Sequence, residues 1–177
     1  MLLNGITQVC QVVRDLDAAI ANWVRLYGAG PFFVADFKME QGQFYRGQPT
    51  VLDVSVAIGY SGSMNVELLR PNRPGPSIYH ELLDTYGEGI HHFWRRGENV
   101  DADVAHFEAN GCPLIASGEV PGVTRSYFVD TRAAIGVYTE LQEVSSAVRI
   151  ALDEMHQAHL NWDGKTEPIR PYPALSL

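Results

Sequence analysis

Gln8-Val-Cys-Gln-Val-Val-Arg-Asp15-Leu-Asp-Ala-Ala19, near the start of the chain, is answered by His92-Phe-Trp-Arg-Arg-Gly-Glu-Asn99-Val-Asp-Ala-Asp103 halfway along it. Each stretch sets a side chain able to bind a metal, Gln8 or His92, seven residues before an Asp or Asn. Each then enters an alanine-containing helical stretch, Asp15 to Tyr27 or Asp101 to Asn110, that stops at Gly28 or Gly111. Asp and Asn accept hydrogen bonds from the free N–H groups of a first helical turn, and Gly adopts the left-handed conformation that closes a last one. The two halves also finish alike, with Met64-Asn-Val-Glu67-Leu-Leu69 and Val137-Tyr-Thr-Glu140-Leu-Gln142 each placing one glutamate in a short β-prone run. Between start and finish, Val51 to Tyr60 alternates between turn residues, and Ser126 to Val129 is short and β-prone. The chain therefore reads β-α-β-β-β twice. This predicts an α+β fold in which two tandem βαβββ modules form one curled mixed sheet, a cup, with a linker helix and a C-terminal helix added.

The predicted divisions are a first module over 1–72, a linker helix in 73–88, a second module over 89–143, and a helix with a Pro-rich tail over 144–177, all in one structural domain. In the linker, Pro71 to Pro76 is a turn and Ser77 caps a helix reaching about Tyr86. Ser145 or Ser146 caps the last helix, with Val148, Leu152 and Met155 on its apolar side. Asn161 to Leu177 reads as an extended strap over a neighbouring surface or a partner subunit. A chain of 177 residues, 46% apolar and 19% charged, is an ordinary globular balance and excludes disorder and coiled coil. The net charge of -8 and the lack of any basic run argue against nucleic acid. Nothing approaches the ~18 apolar residues that span a bilayer, and the start has no basic, apolar leader, so a cytoplasmic protein without membrane association is expected. Cys10 and Cys112 lie far apart and outside CxxC spacing, which supports neither a disulfide framework nor a cysteine-based zinc site.

Side chains two apart in a strand share a face. Gln8 shares one with Cys10, and His92 shares one with Trp94. If the sheet curls, four strands aim Gln8, Glu67, His92 and Glu140 into one cup. Two carboxylates, an imidazole and a carboxamide oxygen form a mixed O/N set suited to a divalent cation, whether Zn, Ni, Co, Mn or Fe. The two carboxylates would balance its charge, and an open position would remain, as in catalytic centres. Taken singly, each position has a plainer role: a strand glutamate pairs with one of eleven arginines, and a histidine beside His91 packs half-buried. Trp94, Phe93, Tyr60, Tyr127 and Tyr138 read mainly as core, Phe32-Phe33 as the start of a strand. Arg95, Arg96 and Arg125 could grip an acidic substrate or a CoA phosphate.

The duplicated pattern resembles the vicinal oxygen chelate superfamily, which includes glyoxalase I, methylmalonyl-CoA epimerase, extradiol dioxygenases and bleomycin-resistance proteins. The resemblance runs over roughly residues 5–143. It rests on Gln8 with Asp15-Leu-Asp-Ala-Ala19, Val66-Glu-Leu-Leu-Arg-Pro71, Gly89-Ile-His-His92 and Thr139-Glu-Leu141, and is nearest to glyoxalase-like and epimerase-like members. It implies metal ligands at Gln8, Glu67, His92 and Glu140, a set similar to that of some glyoxalase I enzymes. Epimerases more often carry His at the first position, where this chain has Gln8. Val12 stands where glyoxalase I has the arginine that grips a glutathione carboxylate, which argues against glutathione. Asp53 is the loose counterpart of the epimerases' second carboxylate. The implied chemistry is that of an isomerase, epimerase or lyase: two substrate oxygens chelate the cation, Glu140 or Asp53 moves a proton beside a carbonyl, and the metal stabilises the enolate or enediolate. The implied partner is a small carbonyl compound, an acyl-CoA among the options, and a homodimer is expected. The alternative is a non-catalytic, resistance-type binder of the same fold. An Fe(II) dioxygenase ranks last, because Gln8 does not complete its His, His, Glu triad.

Overall fold

Asp15 accepts a hydrogen bond from the backbone N–H of Ala18, and Gly28 closes the same helix at φ 60°, so α1 runs Leu16–Tyr27. Asn99 caps α3, Val100–Ala109, in the same way through Ala102 N–H. The computed structural model describes residues 5–174. Its strands are β1 Ile6–Val12, β2 Phe32–Met39, β3 Gln43–Tyr45, β4 Gln48–Pro49, β5 Leu52–Ser61, β6 Met64–Pro71, β7 Gly89–Arg96, β8 Leu114–Val120, β9 Thr124–Val129, β10 Tyr138–Val144 and β11 Ile169–Pro171. Its other helices are α2 Ile78–Thr85, α4 Arg132–Ile135 and α5 Ser146–Leu160, with Ser77 and Ser145 capping α2 and α5.

All strands join one mixed sheet in the order β11-β2-β5-β6-β1-β7-β10-β9-β8-β3-β4. The two repeats meet back to back where β1 pairs antiparallel with β7. On either side, β1 lies parallel to β6 and β7 parallel to β10, as a crossover through a helix requires. Two βαβββ modules thus build the curled sheet read from the sequence. The short β3–β4 hairpin, not foreseen from the sequence, leaves the first module and adds to β8 on the far edge of the second.

Alternation along the strands sorts the two faces. On the outer face, Ala57, Val66 and Leu68 pack against Leu16 and Ile20 of α1, together with fully buried Phe32. On the inner face, Cys10, Val12, Val54, Val56, Ile58, Leu69 and Trp94 join a larger cluster to which α5 contributes Ala151, Leu152 and Met155. The hydroxyl of Tyr60 donates to Leu152 O at 3.1 Å, and its ring stacks on His156 at 4.6 Å. His159 bridges Gly30 O (2.6 Å) and Gly62 N–H (3.1 Å), so the helix is tied to the body at several points. The tail folds back as β11 beside β2 and turns Tyr172 onto Phe37. The strap expected over 161–177 therefore lies on its own chain over its described part; residues 175–177 fall outside the described residues. No helix among the described residues is long and apolar enough to cross a membrane.

Candidate metal centre

Two rows of side chains cross the four central strands on the inner face. One row is Glu67 (β6), Cys10 (β1), His92 (β7), Tyr138 (β10); the next is Asn65, Gln8, Trp94, Glu140. Neighbours in such rows have Cβ atoms about 4.5–5.5 Å apart, and diagonal neighbours stay within reach of long side chains. The result is a buried cluster: His92 is 1% exposed, Gln8 4% and Glu140 7%. His92 Nε2 lies 3.4 Å from a Glu67 oxygen and 3.2 Å from a Glu140 oxygen. Neither oxygen is aligned to accept a hydrogen bond, so Nε2 is a buried polar atom without a hydrogen-bond partner.

Second contacts orient these groups. The amide of Gln142 donates to Glu140 Oε1 at 3.3 Å and to Ser126 Oγ at 2.7 Å, which leaves Glu140 Oε2 turned towards His92. Gln8 donates through Nε2 to Asn65 Oδ1 at 2.6 Å, and its carbonyl oxygen has no hydrogen-bond partner among the described residues. His91 Nε2 faces the carbonyl of Ile78 at 3.1 Å, and His91 Nδ1 faces His92 Nδ1 at 2.8 Å. A carbonyl only accepts, so His91 carries its proton on Nε2. Its Nδ1 must then accept from His92 Nδ1–H. Nδ1 of His92 is thereby committed to His91, and its Nε2 is the nitrogen that faces the two carboxylates. A lone pair set among anions, deep in the protein, is unfavourable unless a cation or a proton stands between them.

The electrostatics agree. Burial pushes His91 well below its ordinary pKa, and its neighbour His92 adds to that. Burial also opposes charge on His92, but Cys10, Glu140 and Glu67 around it outweigh burial and hold its pKa well above 6.5. Burial, then Glu67, pushes the Cys10 thiol far up. Among the described residues, no arginine forms an ion pair with Glu67 or Glu140. Arg95 pairs with Asp103 at 2.8 Å, Arg125 with Asp101 at 2.8 Å, and Arg132 with Asp130 at 2.7 Å and Glu81 at 2.9 Å. None of these arginines lines the cup, so they do not serve there as grips for a substrate anion.

Beside the cluster opens a cavity of about 350 Å³. One wall is apolar, with Phe37 from β2 and Leu52, Val54, Val56 and Ile58 from β5. Val148 and Leu152 of α5 and Tyr172 of the tail close over it. The neighbouring strands β6, β1, β7 and β10 carry Glu67, Gln8, Trp94 and Glu140, with Glu67 directly beside Ile58 of β5. No Lys or Arg lies among the described lining residues, and the only carboxylates there are Glu67 and Glu140. The structure therefore brings His92, Glu67 and Glu140 together, with Gln8 on the same wall. It does not bring Asp53 there. The even-numbered residues of β5 face the cavity, and Asp53 points to the other side, into a separate groove with Pro71, Arg73 and His80. Three residues of this wall were missed as site groups: Cys10 between Glu67 and His92, Trp94 with its unpartnered Nε1–H, and Asn65. The two-residue periodicity linking Gln8 with Cys10 and His92 with Trp94 was the available signal.

Two βαβββ units set back to back around a buried carboxylate–imidazole cluster define a cup protein made by duplication. Residues 7–129 match the family model described as Glyoxalase/Bleomycin resistance protein/Dioxygenase superfamily, and the chain belongs to that superfamily. Among solved structures it is similar to Streptomyces coelicolor methylmalonyl-CoA epimerase in complex with 2-nitronate-propionyl-CoA, with 27% identity over 82% of this chain and 99% of that one and a TM-score of 0.60. A methylmalonyl-CoA epimerase in complex with methylmalonyl-CoA and NH4+ gives 27% identity, 82% and 97% coverage, and a TM-score of 0.60. The Mycobacterium tuberculosis methylmalonyl-CoA epimerase, at 22% identity, 85% and 94% coverage and a TM-score of 0.58, shares the fold. No curated protein matches the sequence.

Proposed function

We propose that the protein is a metal-dependent isomerase or lyase of the epimerase-like branch, acting by proton abstraction next to a carbonyl. One observation carries this reading: with Nδ1 of His92 committed to His91 and through it to Ile78, His92 Nε2 is buried facing Glu67 and Glu140. Glu67, His92 and Glu140, with the amide oxygen of Gln8, are the groups that would hold a divalent cation. When bound, the cation supplies Lewis acidity towards a substrate carbonyl oxygen and so stabilises enolate charge. Glu140, steadied by Gln142, is the base that takes the proton. Trp94 Nε1–H, buried without a partner, is a donor for a substrate oxygen. Leu52, Val54, Val56 and Ile58 hold the apolar part of the substrate and keep water from it.

The similarity to epimerase complexes supports an acyl-CoA or a related 2-oxo compound as substrate. The test is solvent deuterium exchange at the α-carbon across a panel of acyl-CoA and 2-oxo compounds. Exchange by the metal-loaded protein is expected. Glu140→Gln should lower it by at least about 10²-fold, the usual worth of a general base, while Asp53→Asn leaves it unchanged. Absence of exchange with every compound, with ligand binding intact in Glu140→Gln, would assign the cup to a binding protein instead.

A further inference from the structure

We propose that Cys10 is a ligand of the same cation, which makes the centre a mixed sulfur, nitrogen and oxygen site rather than an O/N site. This rests on the reading that the cup holds a divalent metal. Cys10 sits between Glu67 and His92 in one cross-strand row, whereas Gln8 and Glu140 belong to the next. Its sulfur, a Glu67 oxygen and a His92 nitrogen all lie within 4.8 Å of one another. Cys10 is 0% exposed. A buried cysteine is ordinarily a small hydrophobe among apolar neighbours. Here both cross-strand neighbours are metal-ligating types. His92 Nε2, buried and without a hydrogen-bond partner, points to a ligand independently of the thiol.

On binding, the S–H bond of Cys10 breaks, a sulfur–metal bond forms and the proton leaves to the buffer. A thiolate softens the donor set and shifts its preference towards Zn and Co and away from Mn and Mg. Cys112 provides the internal control, since it lies outside the cluster in the turn after α3.

The test uses the full chain stripped of metal and titrated with Co(II). The expected result is a thiolate-to-cobalt charge-transfer band in the near ultraviolet that saturates at one cobalt per chain. The band persists in Cys112→Ser and disappears in Cys10→Ser. Cobalt and zinc affinity in Cys10→Ser should fall by at least about tenfold, the lower end of what losing even an outer partner costs. Zinc X-ray absorption on the unmodified protein needs no variant and should show one sulfur at about 2.3 Å. Stoichiometric cobalt without the band, or zinc surrounded by nitrogen and oxygen alone, would overturn the role of Cys10 and leave the metal-centre reading standing. Failure of the unmodified protein to take up either metal would remove both.

Discussion

Replacing His91 with Phe tests the relay on which the centre depends. His91 stacks near Tyr79 and Tyr138, each at 5.1 Å between ring centroids, so a phenyl ring keeps the packing and removes only the two nitrogens. Two groups lose their partners, His92 Nδ1–H and Ile78 O. A buried group left unsatisfied costs about 1–3 kcal/mol. For a chain of this length each kcal/mol lowers Tm by about 2–4 °C, so a fall of several degrees is expected without metal. The larger effect concerns which nitrogen of His92 is protonated. Without an acceptor beside Nδ1, the proton is free to move to Nε2, where Glu67 and Glu140 attract it, and the ligand lone pair is lost. Removing a partner that orients a ligating histidine weakens metal binding about 10–100-fold, or about 1.4–2.8 kcal/mol. Zinc competition titrations give the affinity, and long-range nitrogen–proton NMR of the imidazoles reads the tautomer directly. In the unmodified zinc form His92 should be protonated at Nδ1 and His91 at Nε2. Unchanged zinc affinity in His91→Phe, with His92 still protonated at Nδ1, would refute the relay.

Two further outcomes follow from the packing and from the carboxylates outside the cup. Leu152→Ala removes a buried side chain from the contact of α5 with β5 and should cost about 2–5 kcal/mol, read as a lower midpoint in urea; ligand affinity should fall with it, since Leu152 also lines the cavity. Hydrogen bonds from Arg132 hold Asp130 below the ordinary carboxylate range. Burial pushes Glu81 up, but hydrogen bonds from Tyr45, Arg46 and Arg132 outweigh it and leave it lowered too. Depressed carboxylates contribute stability that is present above about pH 4, the unfolded value, and is lost as pH falls through the folded values. Arg132→Gln should therefore flatten the acid limb of the stability–pH curve below about pH 4, and an unchanged limb would show that these pairs carry no linkage.

Much of this architecture was legible because duplication writes each signal twice. Asp15 and Asn99, seven residues after Gln8 and His92, fixed where both helices begin, and the pair Glu67 and Glu140 marked the last strand of each half. What stayed hidden depends on long-range pairing. Nothing local in Gln43-Phe-Tyr45 says that it leaves its own module to join β8. Nothing local in Ile169-Arg-Pro171 says that it returns to β2. Asp53 shows the same limit at finer scale. A strand presents alternate residues to opposite faces, so a shift of one position decides between the cavity and its reverse. The pairing of β5 with β2 and β6 sets that register, and it is a tertiary fact.

The pseudo-symmetry of the rows also explains how one fold can carry an asymmetric site. Antiparallel pairing of β1 with β7 makes Gln8 the counterpart of His92 and Cys10 the counterpart of Trp94, while Glu67 answers Glu140. The charged pair is the same in both halves, Glu67 and Glu140. The other two pairs have diverged. One diagonal now offers imidazole against carboxamide. The other offers a thiol against an indole whose N–H is buried without a hydrogen-bond partner. Sulfur and imidazole thus meet in the row containing Glu67, and the indole stands in the row containing Glu140. Divergence at the positions paired with Gln8 and His92, with the two glutamates unchanged, makes the two rows chemically unlike, one with a thiol and an imidazole beside Glu67 and one with a carboxamide and an indole beside Glu140.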